Sequence, residues 1–159
     1  MANFSFETMD SVRSAGVRQV SIFLDDRVGA LLRLFQIFEG ENVRVLALSV
    51  VHAIDCAIVR LIFDDTDRAV KLLQGSRFPT SETEVLVVEV PHGHGLMSIC
   101  AALLTAEVNI DYAYPLLVRP TGRAALAIHT DNLEAATMVL KGRKFALMTE
   151  DDLGPGPAR

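Results

Sequence analysis

The stretch Asp25-Asp26-Arg27-Val28-Gly29-Ala30-Leu31 marks the point where an extended apolar run, residues 20–24, gives way to a helical pattern. Four apolar residues with the spacing of one helix face follow: Leu31, Leu34, Phe35 and Phe38. The stretch is therefore a strand-to-helix turn. Glycine at the mouth of a helix lets a ligand approach the bare backbone, and the first amide groups of a helix have no partner within it. We expect any small-molecule site of this chain at this turn.

The same pattern returns 66 residues later. Residues 85–90 are extended, and Pro91-His92-Gly93-His94-Gly95 forms a second turn. The helical stripe then recurs at Met97, Cys100, Ala101 and Leu104. The segment LLQGSRF at 72–78 also matches VLKGRKF at 139–145, with an offset of 67. We interpret these matches as an internal duplication and predict that both stripes face a core.

Each copy predicts the element order β-α-β-β-α-β. The first copy has a strand at 17–24, a helix at 29–39, a hairpin at 43–51 and 56–63, a helix from 64–67 to residue 75, and a strand from about residue 78. The second has a hairpin at 109–118 and 123–130, a helix from 131–132 to 141, and a strand at 146–149. The fold class is therefore α+β, a ferredoxin-like βαββαβ unit duplicated in tandem, with antiparallel sheets and helices on one face.

The predicted division of the chain is a leader at 1–16, a first unit at 17–83, a second unit at 84–153 and a flexible tail at 154–159. Residues 82–90 must end the first unit and begin the second, either as one long strand or as two short strands that abut. No linker rich in Gly or Pro separates the units, so we expect them to pack together.

Composition excludes several classes of function. The net charge of −5 opposes nucleic-acid binding. No run reaches about 18 apolar residues and no signal peptide is present, so we expect a cytoplasmic protein without a membrane partner. Cys56 and Cys100 lie in apolar patterns and are predicted to be buried, without disulfide or metal. No catalytic or cofactor motif occurs in its required context, so we expect neither enzyme activity nor a cofactor.

A duplicated unit whose first strand ends in an acidic turn, followed by Gly, a small residue and Leu, resembles the tandem ACT-domain family. The turn of that family is typically Asp/Asn-x-Pro-Gly-x-Leu, and residues 26–31 match it with Val28 in place of Pro. Residues 92–97 keep only the Gly and a long apolar residue. Asn109 fits the family's Asn near the start of strand two, and Arg44 occupies that position in the first copy. The resemblance spans residues 19–153.

The resemblance implies a stand-alone regulatory protein that binds a free amino acid or a similar small carboxylate at the interface between units. Turn amide groups would hold the carboxylate, and Asp25 or Asp26 would receive the ammonium group. The implied ligand-binding residues are Asp25, Asp26, Arg27, Val28, Gly29, Ala30, Arg44, His92, Gly93, His94, Gly95, Leu96 and Asn109. We also expect a homodimer and a regulated enzyme partner.

Two alternatives remain open at this point. The chain is an assembly module without a small ligand, or a small ferredoxin-like enzyme or metal carrier built on His92 and His94. Tyr112 and Tyr114 share one strand face, either as a pocket wall or as edge residues with their hydroxyls in water. Arg60, in an apolar strand, is expected to reach solvent or to form an ion pair on the sheet face.

Overall fold

The computed structural model describes residues 15–155, so most of the predicted leader and residues 156–159 of the predicted tail lie outside the described part. The elements are β1 Val17–Asp25, α1 Ala30–Gln36, β2 Val45–His52, β3 Cys56–Phe63, α2 Thr66–Gly75, β4 Thr80–Glu89, α3 Gly95–Thr105, β5 Ile110–Pro115, β6 Ala125–Thr130, α4 Leu133–Gly142, β7 Leu147–Met148 and α5 Glu150–Leu153. The duplicated βαββαβ order is confirmed, with β4 used in both copies.

Strand β4 joins the two units. The sheet order is β2-β3-β1-β4-β6-β5, with β7 also paired to β4. The first half of β4 pairs with β1, from Thr80↔Ile22 to Val85↔Val17, and its second half pairs with β6 and β7. Of the two arrangements expected for residues 82–90, the structure therefore has the single long strand. The predicted boundary between residues 83 and 84 falls inside this strand, and the domain limits remain a prediction.

The helices cover one face of each half of the sheet. Helices α1 and α2 pack on the first half around Val20, Ile22 and Leu24 of β1. Helices α3 and α4 pack on the second half around Leu86 and Val88 of β4. Successive strand residues point to opposite faces. Each strand therefore leaves a second face, which we call the inner face, free of α1 to α4.

The two inner faces meet in a third core. Val17 and Val85 from the first half pack there with Ala127 and Met148 from the second, and Leu153 of α5 closes one end. The edge strands β2 and β5 touch at one isolated bridge, Ala47↔Leu116, beside the hydrogen bond from Leu117 N to Leu46 O at 2.8 Å. The halves of the sheet therefore lie face to face, joined at one side by β4 and at the other by this bridge.

The duplication is visible in the hydrogen bonds as well as in the sequence. The backbone amide of Arg44 donates to Asp64 Oδ1 at 2.7 Å, and in the second copy the amide of Asn109 donates to Asp131 Oδ1 at 3.0 Å. The N-caps also correspond, because Asp65 accepts from Arg68 N and Asn132 accepts from Ala135 N, both at 3.0 Å. The predicted starts of both helices are thereby confirmed.

The predicted core stripe of α3 is wrong. Ile99, Ala102 and Leu103 are buried against the sheet. The predicted residues, Met97, Cys100, Ala101 and Leu104, are exposed, with Leu104 75% accessible. The helix is apolar on nearly all sides, so the spacing alone does not define which side is buried. The prediction of a buried Cys100 fails for the same reason, whereas Cys56 is half-buried.

The C-terminal element α5 has no counterpart in the predicted elements. Thr149 caps it, accepting from Asp152 N, while the Asp152 side chain accepts from Thr149 N. Because Thr149 forms this capping box, the predicted strand at 146–149 shortens to β7. The spacing of Thr149 and Asp152 in the sequence is that of a capping box. No helix within residues 15–155 is long and apolar enough to cross a membrane.

Candidate functional site

The first turn follows β1 and is open to solvent. Arg27 N donates to Asp25 O at 2.8 Å, and Ala30 N donates to Arg27 O at 3.1 Å, so the chain reverses within a few residues. Gly29 has φ +82°, a conformation that other residues adopt only with strain, and no atom lies within 4 Å of the place where its Cβ would stand. The glycine is therefore required by the backbone and leaves space beside it.

The two acids of this turn have different surroundings. The Asp26 carboxylate Oδ2 lies 3.0 Å from Nε2 of His52, at the end of β2, and both side chains are exposed. Asp25 is exposed and lines a cleft. His52 was not among the predicted site residues, because only the fold brings the end of β2 next to the turn.

The cleft beside the first turn has a volume of about 400 Å³, within the usual range for small-molecule sites. Its lining is Phe23, Leu24, Asp25, Ala30, Arg33, Arg77, Phe78 and Pro79. It combines two guanidinium groups, one carboxylate and an apolar wall. Only Asp25 and Ala30 of the predicted site residues line it. Arg33 and Arg77 were missed, although Arg77 belongs to the repeated segment and has a left-handed φ of 60°.

The second turn is built differently. Gly93 takes the left-handed conformation, φ +78°, whereas Gly95 is buried at the start of α3. A Cβ at Gly95 would lie 3.0 Å from both Pro91 Cδ and Val90 Cγ1, so this glycine is needed for packing. His92, His94 and Leu96 are exposed. No group of His, Cys, Asp and Glu within residues 15–155 is arranged to hold a metal ion.

A polar network lies in the inner-face core. The Gln19 side chain is fully buried, its Oε1 accepts from Tyr114 Oη at 2.7 Å, and its Nε2 donates to Tyr112 Oη at 2.8 Å and to Ser21 Oγ at 3.3 Å. Burial raises the pKa of the Tyr114 phenol, so this group remains a donor. The alternative with both tyrosine hydroxyls in water is therefore wrong. The Arg60 guanidinium lies 4.0 Å from the centroid of the Tyr112 ring, and no acid within residues 15–155 pairs with it. Its side chain is half-buried, so the expectation that it reaches solvent is not contradicted.

A second cleft of about 360 Å³ lies near α5 and is strongly acidic. Arg18 is its main cation, with Nε 2.8 Å from Glu150 Oε1 and Nη1 2.8 Å from Asp67 Oδ1. Burial opposes ionisation of Glu150, but its hydrogen bonds from Arg18 outweigh this and lower its pKa. Arg18 thus ties α5 and α2 to β1.

A model for the family described as "ACT domain pair" matches residues 15–155. The chain belongs to this family. No sequence among the curated proteins matches it significantly.

Solved structures agree with this assignment. Protein BT0572 from Bacteroides thetaiotaomicron is 28% identical, with a TM-score of 0.80, over 87% of this chain and 96% of that one. The regulatory subunits of aspartate kinase from Thermus thermophilus (ligand-free form) and Thermus flavus are 14% and 12% identical, each with a TM-score of 0.54 over 79% of this chain and 90% of theirs. These two likenesses show the shared fold.

In this ACT domain pair, the two predicted turns lie at opposite ends of the sheet, because β1 runs toward the first turn and the antiparallel β4 runs toward the second. These ends are separated by the length of β4, about 30 Å at about 3.3 Å per residue. The registers place both strand-two starts level with the middle of β4: Val45 pairs with Phe63, two residues beyond Val20↔Leu61, and Ile110 pairs with Thr130, two residues beyond Leu86↔Ile128. Neither Arg44 nor Asn109 is therefore in register with either turn.

The two strand-two residues are not equivalent in chemistry. Asn109 Nδ2 donates to Asp111 Oδ1 at 3.1 Å, so its side chain is already engaged. Arg44 is 67% exposed, and its Nε lies 3.8 Å from Asp64 Oδ2. Neither residue lines the cleft beside the first turn.

Proposed function

We propose that this ACT domain pair is a regulatory protein that binds a free amino acid in the cleft beside the first turn. The observation that carries the proposal is the combination of Arg33, Arg77 and Asp25 in one cleft of about 400 Å³. An amino acid presents one carboxylate and one ammonium group, and guanidinium groups bind carboxylates with paired hydrogen bonds. The cleft offers two cations for the ligand carboxylate and one carboxylate for its ammonium group.

The binding mode follows from the lining. The two arginines hold the ligand carboxylate, Asp25 receives the ammonium group, and Phe23, Phe78 and Pro79 contact an apolar ligand side chain. This assigns the carboxylate to side chains rather than to the turn amides expected from the sequence. Ala30 lines the cleft as well. The other turn residues do not line it and remain proposed ligand-binding residues: Asp26, Arg27, Val28 and Gly29.

The predicted residues of the second turn, His92, Gly93, His94, Gly95 and Leu96, remain a proposal for a second site at the opposite end of the sheet. Arg44 and Asn109 remain proposed ligand-binding residues. Because about 30 Å separates the ends, the two sites would bind independently unless the shared strand couples them.

A second copy and a regulated enzyme are the proposed partners. The edge strand β2 exposes Val50 and Val51, 48% and 44% accessible, and pairing such an edge with a second copy removes it from water. The aspartate kinase relatives are regulatory subunits, which supports an enzyme as the regulated protein. The ligand would act by favouring the packing that binds it more tightly. The cytoplasmic location remains a prediction.

A thermal-shift screen of the full chain against the twenty amino acids and their 2-oxo acids tests the proposal. A ligand at about 100 times its Kd adds about 2.7 kcal/mol, which raises Tm by about 5–10 °C in a chain of this size. We expect a selective shift that is lost in Arg77→Met and Asp25→Asn. The matched control is Arg123→Met, because Arg123 is exposed and lies outside the cleft. A flat screen, or a shift that survives both cleft variants, contradicts the proposal.

One observation favours an assembly module as the second candidate. The exposed face of α3 carries Leu96, Met97, Cys100, Ala101 and Leu104, without a charge. An uncharged face can meet its own copy without like-charge repulsion, so a second copy is the occupant we consider. Met97→Lys would then abolish dimer formation in sedimentation velocity. A dimer unaffected by Met97→Lys excludes this face.

A further inference from the structure

A row of polar residues crosses the inner face of the first half of the sheet. Ser81 pairs with Ser21, Ser21 pairs with Arg60, and Arg60 pairs with Ser49. Directly paired residues in antiparallel strands point to the same face. Ser81, Ser21, Arg60 and Ser49 therefore form one continuous line across four strands, which we call the donor row.

Arg60 carries the only charge of the donor row. It is half-buried, and within residues 15–155 no carboxylate forms an ion pair with it. Its one described partner is the ring of Tyr112, which it covers at 4.0 Å. Its charge is partly desolvated, and its five N–H donors have no carboxylate acceptor within residues 15–155. The position therefore suits an anion.

The neighbouring polar groups also present donors. Gln19 uses its amide oxygen for Tyr114 and its amide nitrogen for the oxygens of Tyr112 and Ser21. The hydroxyl hydrogens of Tyr112 and Ser21 have no acceptor among residues 15–155. Ser21 is 9% accessible, so water reaches it poorly. The buried network thus uses the Gln19 amide oxygen and leaves the hydroxyl donors of Tyr112 and Ser21 beside Arg60, which pairs with Ser21 and stacks on the Tyr112 ring.

An apolar row lies beside the donor row on the same face. Phe23 pairs with Ile58, and Ile58 pairs with Val51. Phe23 is 40% accessible, and Val51 44%. The second half of the sheet does not cover them, because β2 and β5 touch only near their far ends, at Ala47↔Leu116. If the donor row binds one end of a ligand, this apolar row can contact the other end.

We propose that the inner face binds a small carboxylate that carries an apolar group and lacks an ammonium group. Arg60 pairs with the carboxylate through its planar fork, and the hydroxyls of Tyr112 and Ser21 donate to the same oxygens. Phe23, Ile58 and Val51 contact the apolar group. An amino acid is disfavoured here, because its ammonium group would lie beside its carboxylate and the donor row contains no acid to receive it. Asp25 lies on the same face, where it pairs with Cys56, but it is about 13 Å along β1 from Ser21 at about 3.3 Å per residue, and it lines the cleft beside the first turn.

The test is a titration of the full ¹⁵N-labelled chain with 4-methylpentanoate, followed through backbone amide signals. We expect saturable changes at Ser49 and Arg60 with a Kd in the millimolar range or below. The neutral isostere 4-methylpentanamide and the amino acid leucine should each bind at least about tenfold more weakly at this position. Phe23 lines both the inner face and the cleft beside the first turn, so its signal does not distinguish the two sites. The amide signals of Gly29 and Arg77 report on the cleft alone.

Arg60→Met removes the cation and keeps an apolar stem, so it should weaken 4-methylpentanoate binding about tenfold or more. Arg60→Lys keeps the charge without the fork and should weaken binding less, which provides a second variant if Arg60→Met does not fold. Arg123→Met is the exposed control and should bind like the wild type.

Three results would overturn the inference: no signal changes at Ser49 and Arg60, equal binding of the carboxamide, or unchanged binding in both Arg60 variants. Signal changes confined to Gly29 and Arg77 would support the proposed amino-acid site and reject the inner-face site. Changes confined to Ser49 and Arg60 would support the inner-face site. They would leave the amino-acid site, which needs an ammonium group at Asp25, to the thermal-shift screen.

Discussion

Replacing both partners of the Gln19–Tyr114 hydrogen bond should cost less stability than replacing either one. Gln19→Leu leaves the Tyr114 hydroxyl, which is 5% accessible, without its acceptor. Tyr114→Phe leaves Gln19 Oε1, which is fully buried, without its donor. A buried polar group that loses its partner costs about 1–3 kcal/mol. We therefore expect each single variant to lose about 2 kcal/mol in the free energy of unfolding.

The double variant Gln19→Leu/Tyr114→Phe removes this donor and this acceptor together. The Gln19 Nε2 donor to Tyr112 and Ser21 is lost equally from the single variant Gln19→Leu and from the double variant. Leucine has nearly the volume of glutamine, so no cavity forms, and replacing both partners by apolar groups can be nearly neutral. We expect the double variant to lie within about 1 kcal/mol of the wild type, which makes it more stable than either single variant. The coupling free energy would then be about 3 kcal/mol, at the upper end of values for contacting residues.

Urea denaturation followed by far-UV circular dichroism measures these differences, because the chain contains no Trp and the tyrosines are altered. Tyr112→Phe is the matched control. Tyr112 is only half-buried, so water can replace its partner, and the loss should be below about 1 kcal/mol. A double variant whose loss equals the sum of the single losses would refute the reasoning, since the two groups would then be independent.

Two further predictions concern the turns and acid stability. Gly95→Ala should destabilise by about 1–3 kcal/mol, because the new methyl group would lie 3.0 Å from Val90 Cγ1. Gly29→Ala should cost about 1–2 kcal/mol through its positive φ alone. A Tm equal to that of the wild type in thermal unfolding, for either variant, would contradict this. Hydrogen bonds from Arg18 lower the pKa of Glu150, so their stabilisation is present above the usual value of 4.5 and is lost as the pH falls through the lower folded-state value. Glu150→Gln should accordingly be less stable than the wild type at pH 7 and converge with it in acid, whereas a difference that is constant with pH would exclude this pair as the cause.

The fold was predictable because local signals and the repeat agreed. The strand-to-helix turns, the capping acids at 64–67 and 131–132 and the offset of 67 each indicated the same element order twice. The burial of α3 was not predictable in this way. Its sequence offers two apolar faces, and only the position of the sheet decides which one is buried.

The candidate site was predictable only in part. The first turn was found because its glycine and acids adjoin a strand end. The cleft residues Arg33 and Arg77 were missed, because α1 and the end of α2 meet only in the fold. Arg60 was noted as unusual in an apolar strand, but a strand pattern cannot show that the facing side chain is an aromatic ring and not a carboxylate.

The shared strand β4 has a consequence for how the chain keeps its register. Two separate βαββαβ units would each align their own strands, but here one strand of ten residues serves both halves of a 7-stranded sheet. A slip of β4 by one residue would turn its apolar side chains to the wrong face in both halves at once. The slip would remove apolar side chains from both helix-covered cores and from the inner core, so all three cores disfavour it. One strand therefore sets the register of the whole sheet. Removing either half would leave β4 with an unpaired edge in the half that remains.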